Sequence, residues 1–440
     1  MQLEEKISSI STKKLRDYII NIASGATPSM KESEKYYTQK ENGIPFIRVQ
    51  NLSSSNELKT DNLKYINEET YEKYLRRSQV KENDLLIKIT GVGRMAVSSV
   101  APKNFIGNTN QHLVVIRTKD RLTSETLATF LNTDIGEKLA SRRSTGGTRP
   151  ALDYSALKSI PIVFKPEIVE IIKKANQQKQ EKEAEAKRLL DSIDNYLLEK
   201  LGIELPKETI SKKIFYTSLK AIQGKRFDPF YHRTEFEELE NSIASSKYEF
   251  VKLKNIARKF RTGTTPSEKL KPYSLGKKEI VFLRNSDLLP FEIRLSKVKF
   301  IKKEFEKLLT FSEYNEIIIC IAGSIGMNAV NNSKEQIAIN QNITSIKLDN
   351  KVANSYFVSS YLNSKIGIMF SKRSCSVATI LYLNNENLKN LPIPLPPLEI
   401  QDEIANYISD LRSRAKELER EAKDILKSAK KEVEKMILGK

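Results

Sequence analysis

Leu388-Lys389-Asn390-Leu391-Pro392-Ile393-Pro394-Leu395-Pro396-Pro397-Leu398-Glu399-Ile400-Gln401 runs straight into a long segment of charged and apolar residues, and the first half of the chain carries a matching lead-in, Leu157-Lys158-Ser159-Ile160-Pro161-Ile162. Working outward, five further blocks recur in the same order. Gly25-Ala26-Thr27-Pro28-Ser29 returns as Gly263-Thr264-Thr265-Pro266-Ser267, and Ile44-Pro45-Phe46-Ile47-Arg48 as Ile280-Val281-Phe282-Leu283-Arg284. The run from Asp84 to Gly91 is echoed from Glu316 to Gly323, Asn110-Gln111 by Asn340-Gln341, and Leu131-Asn132 with Gly136 by Leu362-Asn363 with Gly367. The offset drifts only from 238 down to 230 residues, so the chain is one two-part module written twice and not a short-period solenoid.

The first part of each copy mixes short Ile/Val-rich runs with turn residues. Ile44–Val49, Leu85–Thr90 and Leu113–Arg117 read as strands, as do Ile280–Leu283, Ile317–Ala322 and Thr344–Leu348. Helical stretches, Ser124–Asn132 and Val352–Asn363, intervene, which predicts an α+β lobe. The second part is a long helix, entered just after Pro166 or Pro397. The first helix places Ile168, Ile172, Ala175, Lys179, Lys182, Ala186, Leu189, Ile193 and Tyr196 at steps of four and three; the second does so with Ile404, Ile408, Leu411, Ala415, Leu418, Ala422, Ile425 and Ala429. Gly202 is the expected terminator of the first. Neither seam can be buried alone: the two are expected to bury each other as an antiparallel pair, the alternative being that each packs on its own lobe or on another chain. Lys179 and Lys182 interrupt the first seam and mark a register point or a partner contact. The expected domains are a first lobe, 1–165; a central helix, 166–202; a second lobe, 203–397; and a C-terminal helix, 398–440.

Of 440 residues, 74 are Lys or Arg and 55 are Asp or Glu, a net charge of +19. The segment 166–201 holds 7 basic and 8 acidic residues and the segment 398–440 holds 10 of each, so the surplus lies in the lobes. Basic lobes and neutral helices point to a polyanion, with nucleic acid first. Two cysteines and two histidines leave no disulfide framework and no Cys/His zinc site, and suit a reducing cytoplasm. The longest apolar run, Ile317 to Ala322, is far short of a membrane span, and the N-terminus shows no secretory signal.

The doubled set of motifs, with the Leu-Lys-x-Ile-Pro-Ile close running into a long helix, resembles a type I restriction-modification specificity subunit over essentially the whole chain. The first copy departs from the pattern, having Val163-Phe164-Lys165-Pro166 in place of the Pro-Leu-Pro-Pro run. The resemblance implies two target-recognition lobes, each reading half of a split, asymmetric site on double-stranded DNA. It implies paired helices that set the unread gap, two methyltransferase subunits docked on them, and motor-nuclease subunits for cleavage. S-adenosylmethionine and ATP then belong to those partners, and no cofactor or metal to this chain. The other readings are a specificity subunit of another restriction class, or a coiled-coil interaction protein with basic RNA-binding lobes.

Catalysis finds little support. No phosphate-cradling Gly-x4-Gly-Lys-Ser/Thr loop occurs, and Gly91-Val92-Gly93 reads as a turn after a strand. Asp228-Pro229-Phe230-Tyr231 approximates the base-gripping tetrapeptide of amino-methyltransferases, but its second proline is Phe and no Gly-rich donor-binding strand precedes it. His112 has no matching histidine in the second lobe and reads as a satisfied surface side chain ahead of a base or phosphate contact. Cys320 lies in an apolar strand and reads as core.

Because the lobes are expected to read different sequences, residues common to both belong to scaffold or to phosphate contact. Thr27-Pro28-Ser29 and Thr265-Pro266-Ser267 fall there, as do Asn110-Gln111 and Asn340-Gln341. Phosphate-contact candidates are Arg142, Arg143, Lys372, Arg373, Arg48 and Arg284. Base-reading candidates are polar residues where the copies differ: Gln50, Asn51, Arg94, Thr148 and Arg149 in the first lobe, and Asn285, Ser286, Asp287 and Asn328 in the second.

Overall fold

The computed structural model describes residues 2–10, 13–204, 214, 216, 218–223, 226–233, 236, 239–244, 246–274, 276, 279–377 and 381–439. The chain forms two compact units, Met1–Glu185 with Glu417–Lys440, and Ala186–Lys416. The two long helices, Ile168–Leu201 and Leu398–Ile437, each contribute one half to either unit.

Each unit holds an α+β lobe of the same topology. In the first, Asn21–Ser24, Leu113–Arg117, Leu85–Lys88 and Ser98–Val100 are adjacent strands of one antiparallel sheet, with the short strand Asn56–Glu57 added in parallel at its edge. A second sheet has the order Lys64–Ile66, Ile44–Ile47, Ile106–Thr109, Gln79–Lys81, and its central pair is parallel. The second unit repeats the core of both, without the added parallel edge strand among the described residues and with the extra strand Tyr273–Ser274 in the second sheet. Ala257–Thr262, Ile343–Leu348, Ile317–Cys320 and Asn328–Val330 form one sheet. In the other, Ile280–Leu283 again pairs in parallel with Ile337–Ile339.

The strands expected from composition are present; Leu113–Arg117, Ile280–Leu283 and Ile343–Leu348 end where expected, and the other three are two residues shorter at their C-terminal ends. Ile44–Ile47 stops where Arg48 opens a 3-10 turn, and Asn51 Oδ1 accepts from the Arg48 amide at 3.0 Å. The equivalent turn after Leu283 is closed the same way, by Asp287 on the Arg284 amide at 3.0 Å. Buried strands such as Leu85–Lys88 and Ile317–Cys320 present no exposed face, which is why Leu85–Ile87 and Ile317–Cys320 are apolar runs and not alternating. A short helix precedes each lobe, Gln2–Ile10 and Leu239–Ala244; Leu3 and Ile7 of the first pack into the core of its lobe.

The long helices pair antiparallel within each unit. In the first, Lys182 Nζ lies 2.7 Å from Glu421, and Lys165 Nζ donates to the Met436 carbonyl at 2.7 Å, capping the end of the C-terminal helix. In the second, the Tyr196 and Tyr407 rings meet tilted, with centroids 4.0 Å apart, and Lys200 meets Glu403 at 2.6 Å. Of the seam positions, Ile168, Ile172, Ala175 and Ala429 join the core of the first lobe, together with Val433 and Ile437 beyond the expected seam, while Leu189, Leu411 and Ile425 are half-buried. Ile193, Leu197, Leu201, Ile404 and Ile408 join the core of the second lobe. A large aliphatic side chain so buried contributes about 1.5–3 kcal/mol, so each helix end is anchored by a lobe. Gly202, at φ +66°, ends the first helix, with the Ile203 amide donating to Leu198 O at 2.9 Å and that of Gly202 to Glu199 O at 3.1 Å. No described helix is long and apolar enough to cross a membrane.

Candidate nucleic-acid interface

The recurring motifs meet in space, in each lobe by itself. Thr27 Oγ1 donates to Gln111 Oε1, and Thr265 Oγ1 donates to Gln341 Oε1. Beside that bond, a Cβ on Gly25 would stand 1.7 Å from the Thr109 carbonyl oxygen, and one on Gly263 would stand 2.2 Å from that of Asn340. Only glycine lets the two backbones approach so closely. Asn110 and Asn340 each turn back to accept from the amide two residues on, at 3.2 Å. The Gly-x-Thr-Pro-Ser and Asn-Gln motifs are thus two halves of one joint at the lobe surface.

A second shared joint holds the lobe helix to the sheet. The Asn132 side chain donates to Ser98 O at 2.7 Å and accepts from Ser98 N at 3.1 Å; Asn363 treats Asn328 alike, at 2.9 and 3.2 Å. Each amide behaves as one more rung of the ladder at a strand edge.

Around the Thr27–Gln111 joint the first lobe builds a polar rim. His112 Nδ1 is 2.6 Å from Thr90 Oγ1, and Arg149 Nη2 is 3.2 Å from His112 Nε2. Burial and the adjacent Arg149 guanidinium hold His112 below the usual imidazole range, so it is neutral near pH 7. Gln50, Gln111, Thr148 and Arg149 are exposed on this lobe. The strand registers place Asn342 and Ala322 of the second lobe where the first has His112 and Thr90. Ser286, at the position of Gln50, is exposed, and Asn285 is half-buried.

The remaining candidates have partners inside the fold. Asn51 is 1% exposed; it accepts from the Arg48 amide and donates to the Lys59 and Asp61 carbonyls. Asp287 is buried and grips Arg284 through two bonds, 2.9 and 3.0 Å. Arg48 and Arg284 each reach a loop carbonyl, Asn62 O at 3.0 Å and Lys297 O at 3.2 Å. Arg94 is spent on Asp134, at 2.8 Å, and on the carbonyls of Asn132 and Thr133. Asn328 is fully buried, accepting from Ser359 at 2.7 Å and donating to Gly326 O at 2.9 Å. Residue type alone does not reveal these structural tasks.

The two basic pairs split in the same way. Arg142 and Lys372 are exposed, although Arg142 comes within 3.9 Å of Glu4. Arg143 turns inward to Glu4 of the leading helix, and Arg373, 8% exposed, meets Glu240 at 3.2 Å and lies over the Tyr231 ring at 4.4 Å. Asp228 pairs with Arg226 at 2.6 Å and accepts from the Tyr231 amide at 3.1 Å, so its carboxylate shapes a local turn. Burial pushes the Cys320 thiol up to about 12 and the Cys375 thiol up to about 11. Among the described residues no group of three or more His, Cys, Asp or Glu is placed to hold a metal.

Comparison with known proteins follows the duplication. The family profile of the type I restriction modification DNA specificity domain matches residues 9–186 and again 245–428. The chain is 26% identical over 149 residues to the EcoBI specificity subunit of a type I restriction enzyme of Escherichia coli, a match spanning 33% of this chain and 31% of that subunit. A chain from a structural study of complex assembly and conformational transition of the type I R-M system shares the fold, with TM-score 0.50 and 15% identity over 97% of this chain and 95% of that one. The type I restriction-modification S subunit of M. genitalium aligns with TM-score 0.44 and 11% identity over 97% of this chain and 94% of that one. The chain belongs to the type I restriction modification DNA specificity domain family.

Proposed function

We propose that this chain is the non-catalytic DNA-specificity subunit of a type I restriction-modification complex in the cytoplasm. Each lobe reads one half of a bipartite, asymmetric site, and the paired helices set the unread gap. Two methyltransferase subunits and the motor-nuclease subunits dock on this chain, and S-adenosylmethionine and ATP are bound by those partners.

One observation carries the reading. The lobes keep the same glycine and Thr–Gln joint, yet differ next to it, with Thr90 against Ala322 and His112 against Asn342, and at the exposed turn that follows the parallel strand, with Gln50 against Ser286. A shared scaffold with divergent edges suits two readers of different sequences. Gln50, Thr148, Arg149 and Ser286 are the exposed base-reading candidates, and Arg142 and Lys372 the exposed phosphate candidates.

The test is modified-base sequencing of the genome that carries the gene, with and without it. Methylation should vanish at one motif made of two short halves around a fixed gap. An unchanged methylome in a strain that expresses the partner subunits would overturn the proposal.

A further inference from the structure

A cavity of about 590 Å³ opens on the first lobe, away from the motif joint. Lys73, Arg76, Arg77, Lys81 and Arg117 line it, with no acidic residue among its walls. Arg117 is held by the buried Asp84 through bonds of 2.8 and 3.0 Å, and Lys73 by the exposed Glu69. Arg76, Arg77 and Lys81 are exposed and, among the described residues, have no carboxylate within ion-pair distance. Like charges crowded around a concave surface are costly unless an anion joins them.

The second lobe supplies an internal control. Its strand registers put Leu308, Leu309 and Glu313 where the first lobe has Arg76, Arg77 and Lys81, and Arg261 where it has Ala23. There Arg261 pairs with Glu313 at 3.1 Å and also with Glu316, and Lys347, the counterpart of Arg117, meets Glu313 at 2.8 Å. The second copy is filled and neutralised from within. The first has Ala23 in place of that arginine, Lys81 in place of the acid, and Arg76 and Arg77 in place of two leucines.

We infer that this cleft is a phosphodiester-binding groove of the first lobe, gripping the backbone of the duplex whose bases that lobe reads. The inference rests on the DNA-binding reading above. Its floor is the strand pair Asn21–Ser24 and Leu113–Arg117, whose other end carries Gly25 and Asn110-Gln111. Six residues of strand, from Gln111 to Arg117, span roughly 20 Å. That is about six base pairs of rise, so a duplex lying along this strand from the motif joint would reach the cleft within one helical turn.

Phosphate contact is independent of sequence, so the probe is a 30-base-pair duplex of arbitrary sequence, titrated with the full chain between 50 and 200 mM salt. Arg76→Gln/Arg77→Gln should lower affinity on the order of tenfold near 0.1 M and reduce the slope of log K against log salt by roughly 2. Arg76→Lys/Arg77→Lys should restore most of that slope. Lys423→Gln/Lys427→Gln, with the same charge change on the exposed side of the C-terminal helix, should leave it unaltered. Equal losses in the two glutamine variants, or an unchanged slope in the first, would overturn the groove while DNA binding stands. If the wild-type chain shows no salt-dependent duplex affinity, the DNA-binding reading itself falls and takes the groove with it. Duplex binding that survives in Arg76→Gln/Arg77→Gln while a partner subunit is lost from the purified complex would assign the cleft to an acidic protein surface instead.

Discussion

A single methyl group tests the joint at Gly25. Its Cβ would meet the Thr109 carbonyl oxygen, whereas one on Gly147 would meet nothing within 4 Å. Gly25→Ala should therefore cost at least ~2 kcal/mol in denaturant unfolding, and Gly147→Ala should stay within ~0.5 kcal/mol. The thiols give a second residue-scale expectation. Both are buried and both titrate well above neutrality, so neither Cys320 nor Cys375 should react with a thiol-specific chromophore in the native protein, and both should in denaturant. The shared residues were legible because duplication marks them. Gln50 and Asn51 were not separable, since the 3-10 turn Val49–Asn51 breaks strand alternation and leaves no period to tell the exposed amide from the buried one. Asn328 hides for another reason: its strand is buried on both faces, so a polar residue there holds other groups and does not face water.

Among the elements, the long helices were the most legible, because a seam sustained over many turns has few other readings. The interruption at Lys182 becomes an ion pair with Glu421 in the first unit, while Lys179 turns to Glu183 on its own helix. Short elements were harder to read. Asn21–Ser24 has no Ile/Val run, and it is a strand because it pairs with Leu113–Arg117 along its whole length. The C-terminal helix carries a titration that can be measured. Burial lowers Lys430 to about 8 from the ordinary 10.5, with Arg94 acting in the same direction. Between those two values the unfolded chain holds a proton that the folded chain has released. Stability should therefore climb as pH rises from about 8 toward 10.5, read as the thermal midpoint at each pH. Lys430→Met should flatten that climb and raise the midpoint at pH 7, and a rise with pH undiminished in the variant would exclude this lysine as its source.

For the whole molecule, the central helix begins in the core of one unit and ends in that of the other. One heptad inserted into each long helix adds roughly 10 Å, or about three base pairs of rise. Modified-base sequencing should then show the unread gap longer by about that number, with both half-sites intact; altered half-sites would sink the idea that helix length governs the gap. The duplication itself was plain in the sequence, but the inequality between the copies was not, because Arg76, Arg77 and Lys81 gain meaning only when strand register aligns them with Leu308, Leu309 and Glu313. That inequality bears on timing. A pseudo-symmetric reader whose halves were equally adhesive would land either way round on a duplex and would have to let go to correct itself. If the first lobe's cleft grips phosphate as proposed, while its counterpart in the second lobe is closed by the Arg261–Glu313–Lys347 pairing, landing has a preferred leading half, and the second inspects its bases only after the first has taken hold. The polarity of an asymmetric site would then be respected during the search as well as at its end.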